Sequence, residues 1–369
     1  MRFVDEYRDP AAVAALASQI QREATRRWTL MEVCGGQTHA ILAHGLDAML
    51  EESVELLHGP GCPVCVTPVE ILDRALVLAA LPDVTLCSFG DMLRVPGSRG
   101  DLFGARARGG DVRVVYSPLD AVRLASANPS RRIVFLAVGF ETTVPAGAAA
   151  VRFARAQRLP NFFLLVAHVR VPPALEVILS APDNRVAAFL AAGHVCTIMG
   201  TGEYQPLAAR HGVPMVVTGF EPLDVLEGVL FAVRQLERGE ARVQIQYTRA
   251  VRPEGNPPAR ALVEEVFEPA DRAWRGIGVV PDGGLALRDA YRAFDATRAF
   301  PGLAAISAEE PAACRAGDVL RGVLRPPECA EFGRGCTPDR PLGAPMVSSE
   351  GACAAYFRYR PAELLEGSA

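Results

Sequence analysis

Apolar positions in this chain follow two alternating rhythms. Short β-branched and aromatic runs read as buried strands: Trp28–Val33, Val84–Phe89, Val112–Tyr116, Ile133–Val138, Phe162–Ala167, Val195–Met199 and Met215–Thr218. Ala/Leu-rich stretches with helical spacing lie between them. Residues 10–27 read as one amphipathic helix, ending at Arg26 and Arg27 where positive charge suits the helix dipole. Continuous apolar strands alternating with helices predict an α/β fold with a parallel sheet covered on both faces. From about residue 237 the rhythm fades. Arg252–Pro258 reads as a loop, Ala261–Phe267 as a helix, and 311–353 carries little regular pattern. A segment so irregular buries little by itself, and a bound metal is the usual remedy.

A weak repeat runs through the strand-rich part. Met31-Glu32-Val33 resembles Leu136-Ala137-Val138, and Pro68–Leu72 resembles Ala174–Ile178. Cys87–Asp91 resembles Cys196–Gly200, and Tyr116–Asp120 resembles Phe220–Asp224. The offsets are 105, 106, 109 and 104 residues, always in the same order. This argues for two similar α/β domains, 29–131 and 132–236. Residues 237–369 would then form a third unit, with the helix in 1–28 packed on it. Ligands of open parallel sheets sit at the carboxyl ends of the strands. The loop at Cys34 and the loop at Glu141-Thr142-Thr143 should therefore face one cleft.

Composition narrows the function. At 369 residues the chain exceeds one ordinary core, and its net charge of −4 points to neither nucleic acid nor an acidic membrane surface. Every basic side chain is Arg; the absence of Lys excludes a Walker A lysine and a Schiff-base lysine. Acids stand where a signal peptide would be basic, and no apolar run reaches the roughly 18 residues of a membrane span. A cytoplasmic protein is expected, whose nine cysteines read as metal ligands or redox centres.

Three of those cysteines sit in Gly/Pro-rich loops: Cys34 before Gly35-Gly36, and Cys62 and Cys65 in Gly59-Pro60-Gly61-Cys62-Pro63-Val64-Cys65. The C-x-x-C pair reads as a redox dithiol with both sulfurs reachable, or as half a zinc site completed by Cys34. Cys34 itself reads as a thiolate that a metal or partner can approach over the two glycines, or as an inert buried thiol. Cys314, Cys329, Cys336 and Cys353 lack the close knuckle of a zinc staple. Their wide spacing suits a [4Fe–4S] cube, with zinc or free thiols as alternatives. His39, Glu141 and Glu350 are candidates for positioning or proton transfer, while Cys87 and Cys196 read as core residues.

Taken together, Met31–His39, Gly59–Cys65, Gly139–Thr143, Gly202–Gln205 and Ser348–Tyr356 resemble the motifs of the HypD family of hydrogenase maturation factors, across nearly the whole chain. The resemblance implies two similar Rossmann-like αβα domains facing across a cleft, plus a smaller irregular α+β iron–sulfur domain. It implies assembly of the Fe(CN)₂CO unit of [NiFe]-hydrogenase, whose large subunit benefits indirectly. It also implies that the work would be done with a HypC-type chaperone, with cyanide from a HypE-type donor. Cys34 would hold the transient iron carrying CN and CO. Cys62 and Cys65 would pass electrons, and Cys314, Cys329, Cys336 and Cys353 would bind the [4Fe–4S] cluster. Where relatives can carry His, this chain has Gln37, whose amide could donate to a bound cyanide. The competing readings are an independent [4Fe–4S] thiol–disulfide reductase and a zinc-stapled binding scaffold.

Overall fold

The computed structural model describes residues 5–360. Eleven strands order these residues: β1 Trp28–Glu32, β2 Val54–His58, β3 Val84–Ser88, β4 Val112–Val114, β5 Arg132–Gly139, β6 Phe162–His168, β7 Ala188–Ala192, β8 Met215–Thr218, β9 Val243–Ile245, β10 Phe267–Trp274 and β11 Gly278–Leu287. The first nine form two wholly parallel sheets, ordered β2-β1-β7-β8-β9 and β4-β3-β5-β6. Strands β5 and β6 are apolar almost throughout because helices cover both their faces. Among the described residues no helix is long and apolar enough to cross a membrane.

The sheets do not divide at residue 131. Each takes two strands from each half of the repeat. After β2 the helix Val69–Ala79 carries the chain into the second sheet, and after β6 the helix Val171–Ser180 carries it back. Strands β1 to β4 start 104, 108, 104 and 103 residues before β5 to β8. With that correspondence both sheets have the same order, so the repeat is present but its strands are exchanged. Periodicity reports which segments are strands and is silent on which strands pair. For that reason the contiguous domains 29–131 and 132–236 are not the partition the fold adopts.

Three other expectations change. Val195–Met199 lies in a helix, Gly193–Met199, and the strand of that unit is the Ala-rich Ala188–Ala192. The central position between β1 and β8 rewards burial more than β-propensity. The first helix, Pro10–Glu23, does not pack on a C-terminal unit. Its buried Val13, Ala17 and Ile20 join Val225, Leu226 and Val229 of helix Pro222–Glu237 beside the first sheet. Arg234 donates to Glu23 at 2.7 Å along the same seam. Residue 237 is not a boundary either, since β9 extends the first sheet. Helix Pro257–Val266 packs on Val144–Ala156, and the β10–β11 hairpin lies against β6 and Val171–Ser180. The remaining tail is made of short turns and helices, closing with Ala352–Tyr359 against the helix Gly35–Ala43.

Candidate functional site

Sheet order positions the first site. In β2-β1-β7-β8 the chain runs outward from β1 on one side and from β7 on the other, so the β1/β7 boundary is a topological switch point. Cys34 leaves β1, Cys62 leaves β2, His194 follows β7 and Phe220 follows β8. Four neighbouring strand ends thus present two cysteines, an imidazole and an aromatic ring along one edge. Cys34 Sγ lies 3.6 Å from His194 Nδ1. Phe220 packs on Gly36, with its ring centroid 5.3 Å from that of His194.

The two cysteine loops touch through backbone. Gly35 N–H donates to Gly61 C=O at 3.0 Å, and a Cβ on Gly61 would stand 2.5 Å from Cys34 Cα. Cys34 and the Cys62–Cys65 loop therefore share one site. Cys62 and Cys65 are joined as a disulfide with Cα atoms 5.2 Å apart, on the single turn Pro63–Val66 that Pro63 opens. Contrary to the reachable dithiol read from the sequence, both are buried, 3% and 1% exposed, among Val138, Ala344 and Val347. The tail segment 344–350 is the cover: Arg94 donates to Val347 C=O at 3.2 Å, and Glu350 lies over Gly35.

Behind Cys34 lies a group that sequence reading passed over. Glu32, fully buried, accepts from Cys34 N–H at 2.8 Å, from Thr38 Oγ1 and from His58 Nδ1 at 2.7 Å. Burial, followed by the Glu32 charge, pushes the Cys34 thiol up to about 12, against the pull of the Gly36 and Gln37 N–H groups. Burial alone lowers His194. His58 in turn meets Tyr356 edge-on at 5.4 Å, linking the Cys34 loop to the tail. An acid as the last residue of an apolar strand was the available signal for Glu32. Nothing local in the sequence marked His194.

The polar candidates separate. Glu141, after β5, accepts from Val171 N–H at 2.9 Å through Oε1, while Oε2 is buried without a hydrogen-bond partner. Burial pushes its carboxyl up to about 7, and its charge is felt by Cys196 and Tyr204. Glu350 keeps an exposed surface, and partial burial plus the nearby Asp91 hold its carboxyl above its ordinary range. His39 does not join the site. It is exposed, with Tyr359 Oη 3.1 Å from its Nε2 and the two rings edge-on. Gln37 is buried and spends its amide donors on Thr218 Oγ1 at 2.6 Å and Ala191 C=O at 3.3 Å, so it does not offer them to a ligand at Cys34. Cys87 and Cys196 are fully buried, as expected of core residues.

The four tail cysteines come together despite their spacing. Cys314, Cys329, Cys336 and Cys353 line one pocket with Phe332, Met346 and other apolar side chains. Burial first, then the other three cysteines, raises Cys353 far above an ordinary thiol. Leu342 N–H donates to Cys336 Sγ at 3.4 Å. Among the described residues no three His, Cys, Asp or Glu side chains converge on a point that one metal ion would occupy.

Fold and sites define an α/β protein with a thiol centre at a sheet switch point and a second, four-thiol pocket beside it. The chain matches the family HypD, described as "Hydrogenase formation hypA family", over residues 11–360. It is 48% identical over 368 residues to the hydrogenase expression/formation protein HupD of Azotobacter chroococcum, covering 97% of each chain. It is 46% identical over 371 residues to the hydrogenase maturation factor HypD of Escherichia coli, covering 98% of this chain and 99% of that one. With HypD of Rhodobacter capsulatus it shares 45% over 377 residues, 99% of this chain and 100% of the relative. The chain belongs to the HypD family of hydrogenase maturation factors.

Proposed function

We propose that this protein is the scaffold and redox centre on which the Fe(CN)₂CO unit of a [NiFe]-hydrogenase is assembled, in a complex with a HypC-type chaperone and supplied by a HypE-type cyanide donor in the cytoplasm. The observation that carries the reading is the position of Cys34 between the Cys62–Cys65 disulfide and His194 at one switch point. Low-spin iron with cyanide and CO takes soft donors, and a thiolate with an adjacent imidazole supplies a suitable pair. The glycines at 35 and 36 let Glu350 and Phe220 pack directly on the backbone beside Cys34, so the iron and a thiolate of the chaperone would enter once the Glu350 segment moves aside. Burial, with the Glu32 charge second, keeps the Cys34 thiol protonated while the site is empty, and that negative charge favours an arriving cation.

Cyanide carried as a thiocyanate on a partner cysteine needs two electrons and two protons to leave as hydrogen cyanide with a free thiol. The dithiol form of Cys62 and Cys65 supplies both pairs and becomes the disulfide. The four-thiol pocket fits a [4Fe–4S] cluster. Its four thiols, each partly buried, line one pocket, and burial first and then the other three thiols raise Cys353, a donor set that suits a cube in which each sulfur binds its own iron. When bound, such a cluster supplies electrons one at a time to reload the dithiol. This division also gives a task to the Cys34 loop, which an independent reductase would leave without one.

The test is anaerobic co-purification with the chaperone and cyanide donor, followed by infrared spectroscopy. Cyanide bands on a brown complex are expected. A brown complex that never shows cyanide bands would favour the independent reductase, and a colourless, zinc-loaded protein would favour the scaffold reading.

A further inference from the structure

Packing, not a hydrogen bond, holds the far side of the imidazole that faces Cys34. His194 Nδ1 lies 3.6 Å from Cys34 Sγ, and among the described residues its Nε2 meets no hydrogen-bond partner. A histidine at a metal site is ordinarily oriented by a hydrogen bond on that second nitrogen. Here a stack of rings stands in its place. Phe220, the second residue after β8, tilts at 33–60° no more than its neighbours allow: its ring lies at 44° to the imidazole, with centroids 5.3 Å apart. Tyr247 meets Phe220 edge-on, with centroids 6.0 Å apart. Tyr247 in turn lies against the backbone where β7 and β8 end. A Cβ on Gly193 would stand 2.6 Å from Tyr247 Cδ1, and one on Gly219 2.8 Å from Cδ2. Tyr247 N–H donates to Val217 C=O at 3.1 Å. The Arg249 guanidinium lies over the Tyr247 ring at 4.4 Å, and the fully buried Asp224 accepts from both its Nη atoms, at 2.7 and 2.5 Å. The outer end of the stack is therefore fixed. Phe220 and Tyr247 are both half-buried and lie at the rim of their core cluster, so the fold depends on their rings less than the aim of His194 does.

We propose that Phe220 and Tyr247 are positioning residues for iron capture: their stacked rings hold the His194 imidazole with Nδ1 toward Cys34. An imidazole free to turn about its Cβ–Cγ bond would present carbon in place of nitrogen for part of the time. The site would then offer the iron Cys34 alone. The functional half of the proposal rests on the reading of Cys34 as the iron thiolate. The geometric half, that the stack sets the orientation of His194, does not.

The experiment compares Phe220→Leu and Tyr247→Leu, which remove a ring, with Phe220→Tyr and Tyr247→Phe, which keep one, all in the full chain purified anaerobically. Urea denaturation reports the fold. Nuclear magnetic resonance of the ¹⁵N-histidine-labelled chain reads the imidazole, and the His194 signals among the six histidines are those lost in His194→Ala. Infrared spectroscopy of the chaperone complex, given iron and the cyanide donor, reads iron capture. The wild type should show the two distinct nitrogen shifts of one tautomer at His194. Both Leu variants should draw those shifts together and lower the cyanide bands about tenfold, the usual worth of a group that orients a metal-binding histidine. The ring-keeping variants should hold the wild-type shifts and stay within about twofold in band intensity, because the aromatic contact survives. Wild-type His194 signals in a folded Phe220→Leu protein overturn the proposal. Disturbed signals with wild-type cyanide bands overturn its functional half, and equal losses in the ring-keeping variants overturn the role of the rings. If Phe220→Leu does not fold, Tyr247→Leu decides on the same two readings. A wild-type complex that shows no cyanide bands would sink the Cys34 reading instead, and the resonance arm would still decide whether the stack aims His194.

Discussion

Gly61 is where the shared site can be broken with one methyl group. A Cβ there would stand 2.5 Å from Cys34 Cα and 2.6 Å from the Val33 carbonyl carbon. Both are backbone atoms, so no side chain can swing aside. Ordinary contact requires the two loops to part by about 1 Å. That movement stretches the 3.0 Å bond from Gly35 N–H to Gly61 C=O beyond a useful length. Overpacking of this kind costs about 1–3 kcal/mol, and the lost hydrogen bond about 0.5–1.5 kcal/mol. Gly61→Ala should therefore lower stability by about 2–4 kcal/mol in urea denaturation, within reach of a folded protein. Function should suffer more than stability, because 1 Å between reacting groups costs about a hundredfold. The assay is the intensity of cyanide bands in the chaperone complex, beside hydrogenase activity in a host lacking its own factor. Gly202→Ala is the control: nothing lies within 4 Å of its Cβ, so stability should stay within about 0.5 kcal/mol of wild type. A Gly61→Ala protein with wild-type stability and wild-type cyanide loading would refute the idea that the Cys34 and Cys62–Cys65 loops work in contact.

Replacing Cys329 or Cys336 with Ala should bleach the protein and open residues 311–353 to protease; full iron and unchanged colour in both variants would remove the cluster from the tail. Glu32→Ala should cost about 3–5 kcal/mol in urea denaturation, because it strands a buried histidine and two further donors; a loss below about 1 kcal/mol would mean the network is not formed. Glu141, pushed up to about 7, keeps a proton in the fold that the unfolded chain releases near 4.5. Its contribution to stability therefore falls as pH rises from about 4.5 to 7 and is level above. Glu141→Gln should flatten that window in denaturation curves taken at several pH values, and an unchanged slope would place the carboxyl in contact with solvent.

Much of the fold can be read from apolar runs, and the limits of that reading are physical. Strands such as Phe162–His168 declare themselves because burial on both faces demands apolar residues throughout. Ala188–Ala192 does not, because alanine suits a buried helix equally well. The repeat is visible in four short matches, yet the exchange of strands between sheets is not, since pairing is decided by long-range packing. At the site, Cys34, Cys62 and Cys65 stand out through their glycine and proline neighbours. His194 does not, because its role comes from sheet order: β7 lies beside β1 although β2 to β6 come between them in the chain. His39 and Gln37 escape for a related reason. They share the helix of Cys34, but helical rotation turns one to the tail and the other into the first sheet.

The proposed mechanism divides the labour: Cys34 holds the iron, and Cys62 with Cys65 carries the electrons. The decisive comparison is between infrared spectra of the anaerobic chaperone complexes of Cys34→Ala and Cys65→Ala, each given iron, the cyanide donor and then a strong external reductant. Cys34→Ala should show no cyanide bands under any condition while its visible spectrum stays intact, and Cys65→Ala should recover part of its bands once the reductant is added. Cyanide bands of wild-type intensity in Cys34→Ala would overturn this mechanism, because the iron would then be held elsewhere.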